Sequence, residues 1–384
     1  MNNVKEEQSD KKVHVSAVRP IRAVTGLLRK GENPSSALFQ SKLGKPWDVS
    51  DKIAIEFVNE IERRFRSKNK KFGYFSSKMT SIPRELKRYY ESNDNSSDAE
   101  FMSFSDGLMT GLASAADEAK ASPTAGGNVV IMHYSSHEEG DLGRLLVMLL
   151  EKRGMFDFDS DLRPERLEPI DTKAIKQAAL IDINLFSVCY PSHDGEAYLR
   201  FIEGSSRADF FKTSFGCSES VDNKRSVEEL DRALGDFIEA KRIGLDLAEE
   251  LREGVKALLL QHSKPSSEPL SLDKIQKRLD QILPEESEHK GLFSGFVNDN
   301  EYQVNDWFSP TNYSAKKVGK ILLEDENKSY DVEVSENSIG EMDSTKPVKV
   351  SEDGNYLCFP ISGEKRREVF RVTGRSMSDD DGTA

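Results

Sequence analysis

LIDINLFSVCYPSHDGEAYLRFIEG, Leu180 to Gly204, carries the reading on which the class of fold turns. LIDINLFSV (Leu180 to Val188) reads as a strand, PSHDGEA as a turn signal, and YLRFIEG (Tyr198 to Gly204) as its hairpin partner. Working outward, Asp171 to Ala179 is predicted as a short helix feeding that hairpin. A further helix is predicted over Leu142 to Lys152. NVVIMHY (Asn128 to Tyr134) reads as a buried strand, and VHVSAVRPI (Val13 to Ile21) alternates as a half-buried one does. Ser50 or Asp51 caps a helix whose apolar positions Ile53, Phe57, Val58, Ile61 and Phe65 share one stripe. A second helix spans about Phe101 to Ala119 and stops at SPTAGG (Ser122 to Gly127). Helices and hairpins alternate irregularly, which predicts α+β: a mixed, mainly antiparallel sheet with packed helices, plus a smaller β-rich C-terminal domain.

The 384 residues suffice for two or three domains with real cores. Residues 1–12 are expected to be disordered, and 13–225 to form the α+β domain. A helical segment follows over 226–262 with Ser226 at its N-cap, then SKPSSEP within a linker at 263–270. Residues 271–373 are predicted as an acidic β-rich domain. It opens on a short helix, Leu272 to Leu283, and its strands are YDVEV (Tyr330 to Val334), PVKV (Pro347 to Val350), YLCFPI (Tyr356 to Ile361) and EVFRV (Glu368 to Val372). The tail, 374–384, is expected to be disordered.

Hydrophobic residues make up 36% and charged residues 32%, with a formal net charge of −13. No apolar run approaches the roughly 20 residues that cross a bilayer, and MNNVKEEQSDKK lacks the apolar core of a signal peptide. Cys189, Cys217 and Cys358 lie far apart, without disulfide or zinc spacing. A reducing cytoplasm fits, with no membrane partner.

Against this acidic background one run stands out: IERRFRSKNKKFGYFSSKMTSIPRELKRYY, Ile61 to Tyr90. Arg63, Arg64, Arg66, Lys68, Lys70, Lys71, Lys78, Arg84, Lys87 and Arg88 face only Glu62 and Glu85. Aromatics are threaded among them. Such a segment is a local positive field suited to phosphates. Screening confines it to about 8 Å at physiological salt, so a negative whole does not forbid a positive patch.

Enzymatic constellations are sparse. His133 and His137 with Glu138 have a spacing compatible with metal ligands, but His133 ends a strand and HExxH is absent. Asp182, Asn184 and Glu203 on neighbouring strands would suit a metal-dependent nuclease, yet no lysine follows at short spacing. No GxxxxGK[ST] or GxGxxG is present. Cys217 reads more simply as a buried thiol than as a nucleophile. Gly107 and Gly111 in GLMTG are read as a close helix contact. No catalytic residue and no cofactor are expected.

Several segments together resemble the bacterial thirty-seven-kilodalton nucleoid-associated family, the YejK/NdpA-like proteins. They are RRFRSKNKKFGYFS (Arg63 to Ser76), FMSFSDGLMTGLASAADEA (Phe101 to Ala119), GGNVVIMHY (Gly126 to Tyr134), ALIDINLF (Ala179 to Phe186) and YLRFIEGSSRADFFKTSFGCSE (Tyr198 to Glu219). Their order and spacing cover roughly residues 13 to 360. The resemblance implies a cytoplasmic, nucleoid-located protein that binds double-stranded DNA without enzymatic activity, with topoisomerase or another DNA-processing protein as a partner. Between Gly204 and Phe210 the family carries more basic residues; here only Arg207 remains, which shifts weight to Arg63 through Lys71.

The leading expectation is therefore a non-enzymatic protein whose Arg63, Arg64, Arg66, Lys68, Lys70 and Lys71 contact phosphates, helped by Arg84, Lys87, Arg88 and Arg207. Phosphate contacts position without specifying sequence, so binding is expected to be largely non-specific. A homodimer would multiply a weak patch. Two rivals stand beside it. One is a protein-interaction or regulatory module acting on a DNA-processing enzyme or in anti-phage defence, motivated by the acidic C-terminal region. The other is the nuclease.

Overall fold

The computed structural model describes residues 17–31, 38–76, 81–91, 98–121, 126–136, 138–150, 175–193, 195–203, 210–217, 222–324, 327 and 329–374. The first half contributes β1 (Arg19–Lys30), β2 (Phe39–Pro46), α1 (Lys52–Arg66), β3 (Lys71–Gly73), α2 (Ser81–Glu91), α3 (Asp98–Glu118), β4 (Gly127–Ser135), β5 (Arg144–Leu150), β6 (Ile175–Asp182), α4 (Ile183–Cys189), β7 (Leu199–Glu203) and α5 (Phe210–Ser214). Its strands form one seven-stranded sheet in the order β2-β1-β4-β5-β6-β7-β3. Every pair in it is antiparallel. The α+β architecture predicted from the sequence is what the chain adopts.

Strand alternation sorts the side chains into two cores. On one face Ala23, Val130, Met132, Leu146, Met148, Ala178 and Leu180 pack against Ala54, Phe57, Val58, Ile61 and Phe65 of α1. On the other, Val24, Leu28, Val129, Ile131, Leu145, Val147 and Leu149 meet Leu86 and Tyr89 of α2 and Phe101, Phe104, Leu108, Met109 and Leu112 of α3. The capping expectation at α1 holds: the Asp51 carboxylate accepts the Ile53 amide at 2.8 Å. Gly26 lies under α3, where a Cβ would stand 2.6 Å from Met109 Cε. By contrast a Cβ at Gly107 or Gly111 would meet nothing, so these two glycines do not mediate a close helix contact.

Several elements differ from the sequence reading. RLLVMLL is the strand β5, not a helix over Leu142 to Lys152. Both its faces are covered, so its apolar run has no alternation to betray the strand. The assignments around Leu180 are exchanged: Ile175 to Asp182 is a strand, and Ile183 to Cys189 a helix. Asp182 makes the switch, since its side chain accepts the Leu185 amide at 3.1 Å. The first strand begins at Arg19, and residues 13–16 lie outside the described residues.

The second half comprises α6 (Asn223–Ala240), α7 (Leu245–His262), β8 (Leu270–Ser271), α8 (Leu272–Ile282), α9 (Phe293–Asp299), β9 (Trp307–Phe308), α10 (Asn312–Lys317), β10 (Lys320–Glu324), β11 (Asp331–Ser335), β12 (Ile339–Gly340), β13 (Val348–Val350), β14 (Leu357–Cys358) and α11 (Gly363–Thr373). Asp222 rather than Ser226 caps α6, its side chain accepting the Arg225 amide. One apolar cluster joins Leu230, Leu234 and Leu259 to Leu270, Ile275 and Phe308, on both sides of the Ser263 to Pro269 turn. The small sheets β10-β11 and β12-β13-β14 follow. Of YLCFPI only Leu357 and Cys358 are extended, and EVFRV lies in helix α11 instead of a strand.

The two halves meet along the β7-β3 edge. Asn305 forms a parallel bridge with Lys70, and its side chain accepts the Phe72 amide at 2.9 Å. The Asp306 amide donates to the Lys70 carbonyl, and Gln303 both accepts from and donates to the backbone of Ala197. At one end of the sheet Arg144 and Asp182 are cross-strand neighbours, with Arg200 two register positions away, opposite Leu180. Glu301, held at φ +60°, reaches in to take both arginines.

Candidate nucleic-acid interface

The C-terminal turns of α1 gather cations where the helix end carries partial negative charge. Arg63 donates twice to Glu60, and its side chain remains 67% exposed. Arg64 also pairs with Glu60. Burial opposes the Glu60 charge, but hydrogen bonds from the two arginines overcome it and hold its carboxyl below the usual range. Arg66 donates to Glu62, a buried carboxylate, at 2.6 Å. Lys68 and Lys71 are half-buried. Over Glu60 to Lys71 six cations meet two carboxylates, which leaves a local excess of four positive charges.

Lys70 is turned inward. It is 4% exposed, and its ammonium donates to the carbonyls of Arg66 and Lys68 at 2.6 and 2.7 Å. That satisfies the orphan Arg66 carbonyl at the end of α1 and the Lys68 carbonyl just past its cap. Burial, reinforced by the Arg200 charge, lowers its pKa to about 7, with Glu301 and Asp299 opposing the shift.

The structure separates the basic run into two groups. α1 packs on one face of the sheet and α2 on the other. Arg84 and Arg88 pair with Glu85, and Lys87 with Glu91, so Ser81 to Glu91 carries an excess of only one. Arg207 and Lys78 lie outside the described residues.

The other chemical candidates have structural partners. His133 is buried, with Nδ1 2.7 Å from the Tyr89 hydroxyl and Nε2 2.8 Å from the Leu142 carbonyl. Burial, ahead of the opposing Leu142 hydrogen bond, pushes its pKa down to about 4, so it is neutral at physiological pH. His137 lies outside the described residues. Asp182 caps α4 and pairs with Arg144 and Arg200, while Asn184 accepts the Leu142 amide and donates to Asp141. Glu203 stands opposite Gln177 in the β6-β7 register. Among the described residues no three His, Cys, Asp or Glu side chains are arranged to hold one metal ion.

Sequence reasoning missed Arg144, Arg200 and Glu301. An arginine opening an apolar strand and another inside a hairpin strand were the available signal. Their common partner is more than a hundred residues away, and only the fold brings it near.

The described residues thus form an antiparallel sheet clad by helices on both faces, with a cationic helix end at α1. The chain belongs to the nucleoid-associated YejK family: the family profile matches residues 32–345. It is 25% identical over 277 residues to a nucleoid-associated protein of Pseudomonas fluorescens, covering 69% of this chain and 77% of that protein. A nucleoid-associated protein of Pseudomonas syringae is 25% identical over 276 residues, covering 69% and 77%. One of Pseudomonas putida is 24% identical over 276 residues, covering 69% and 76%.

Proposed function

We propose that the protein is a non-enzymatic component of the bacterial nucleoid that binds double-stranded DNA, largely without sequence preference, through the C-terminal end of α1. The observation that carries this reading is the formal excess of positive charge between Glu60 and Lys71, three even without the buried Lys70, in a chain of net charge −13 that belongs to a nucleoid-associated family. Arg63, Lys68 and Lys71 are the phosphate contacts, with Arg64 and Arg66 supporting the field from behind their ion pairs. Lys70 holds the backbone that presents them. Arg84, Lys87, Arg88 and Arg207 are secondary, because α2 lies on the opposite face of the sheet. A homodimer in the cytoplasm would present the patch twice and so compensate for its small size.

Arg63→Glu combined with Lys68→Glu changes two side chains outside the core and tests the site by gel shift with plain duplex DNA. Retention is expected to vanish while circular dichroism is unchanged. Undiminished binding by this variant would falsify the assignment. With about three phosphates neutralised, log affinity should fall with log salt at a slope of roughly −2.7.

A second reading, an interaction module for a DNA-processing enzyme such as a topoisomerase, is favoured by the C-terminal region. There Tyr356, Phe359, Ile361 and Val372 are exposed, and α11 buries no side chain. Capture of such an enzyme that survives nuclease treatment would support it, and capture lost with the DNA would count against it.

A further inference from the structure

The paired strands β1 and β2 carry six cations, Arg19, Arg22, Arg29, Lys30, Lys42 and Lys45, and no carboxylate. In a chain of net charge −13 no acid within these strands offsets them. Two of the six are engaged on the side of α3. Arg22 is buried and pairs with Asp98 at 3.3 Å, and Lys30 donates to the Ala121 carbonyl at 3.3 Å while lying over the Phe39 ring. Asp98 and Asp117, whose carboxylate accepts the Phe39 amide at 2.8 Å, both belong to α3.

Strand register sends a different pair to the other side. Ala23 packs toward α1, whereas Val24 and Leu28 pack toward α3. Alternation therefore sets Arg29 on the α1 side of the sheet. Lys42 stands opposite Leu27 and Gln40 opposite Arg29, so Arg29 and Lys42 are diagonal neighbours on that side. Both are exposed, and among the described residues neither has an ion-pair partner. A lysine on an edge strand discourages pairing with another sheet. Arg29, however, lies on β1, which is already paired on both sides, where edge protection needs no charge. The location also matters. β2 is the outermost strand at one edge, and β3, which continues from the cationic end of α1, is outermost at the other. Six inter-strand steps separate them by roughly 29 Å, and sheet twist turns one edge from the other by more than roughly 100°. Screening over about 8 Å keeps the two positive fields separate. A straight duplex that follows one edge cannot follow the other.

We propose that the β1-β2 edge is a second phosphate-binding surface, where Arg29 and Lys42 hold a separate segment of duplex DNA, so that one chain bridges two segments. The inference rests on the reading that the α1 end binds duplex DNA, and adds a partner surface to it. With only two exposed, unpaired cations the edge is the weaker of the two surfaces. It holds the second segment at low salt, once the α1 end has brought the protein to the first.

The test is a bridging assay with the full chain at low salt. A mixed-sequence duplex is fixed to beads, protein is added, and retention of a second, labelled duplex from solution is measured beside an ordinary single-duplex gel shift. The unaltered protein is expected to retain the labelled duplex. Arg29→Glu combined with Lys42→Glu should lower that retention to the level without protein while keeping the gel shift and the circular dichroism spectrum. The charge-conserving pair Arg29→Lys with Lys42→Arg should bridge as the unaltered protein does. Bridging undiminished by the glutamate pair would assign it to association between copies and overturn the proposal. A gel shift without any bridging by the unaltered protein would overturn it too, and leave the α1 reading standing. Loss of the gel shift together with bridging in the folded glutamate variant would merge the two surfaces into one site and overturn the claim of two segments. Failure of the unaltered protein to shift DNA at all would instead remove the α1 reading, and this inference with it.

Discussion

Lys68 and Lys70 stand two residues apart, yet one keeps partial exposure while the other is buried under the C-terminal half. Burial favours the neutral amine of Lys70, so between about 7 and the ordinary value of 10.5 the unfolded chain holds the extra proton. Stability should therefore rise as pH is raised through that window. Lys70→Met removes the titration and flattens the rise in urea unfolding, at a cost of about 1–3 kcal/mol for the two abandoned carbonyls. Glu301 has the same sign of dependence in a more acidic window. Burial opposes its charge, but Arg200 and Arg144 lower its pKa to about 2 from 4.5. Its contribution is complete above about 4.5 and fades as pH falls toward 2. Glu301→Gln leaves Arg144 and Arg200 without their shared carboxylate, and should cost about 3 kcal/mol in urea unfolding at neutral pH. None of this was legible in the linear chain, because a side chain's fate follows from what packs on it.

At the scale of elements, legibility followed the kind of signal each segment carried. α1 was readable because Asp51 caps it and its apolar stripe faces one core while its other face stays wet. Asp51→Ala should lower stability by about 1 kcal/mol, measured by urea unfolding. β5 was not readable, since a strand covered on both sides and a short buried helix are both continuous apolar runs. The exchange of strand and helix at Asp182 has a local cause that was present but ambiguous: an acidic residue within an apolar run is either an outward strand position or an N-cap. α11 shows the reverse limit. EVFRV has the β-branched character of a strand, but no neighbouring strand pairs with it, and it forms an exposed helix closed by Gly374 at φ +69°. Because α11 buries nothing, truncation after Ser362 should leave the unfolding midpoint unchanged.

At the scale of the whole molecule, the positive run read as one segment is split by the sheet, with α1 on one face and α2 on the other. A straight duplex on the α1 face cannot also touch α2. Reversing Arg84, Lys87 and Arg88 to glutamate should therefore weaken duplex binding less than reversing Arg63 and Lys68, measured side by side at low salt. Sequence alone determined the α+β class, the two long helices with their buried stripes and the family, because these rest on local periodicity, caps and an ordered set of short motifs. Tertiary structure alone decided which cations face solvent and that Glu301 pairs with two distant arginines. Charge and burial are properties of what lies within a few ångströms in space, and neighbours in space are chosen by the packing of the sheet rather than by position along the chain.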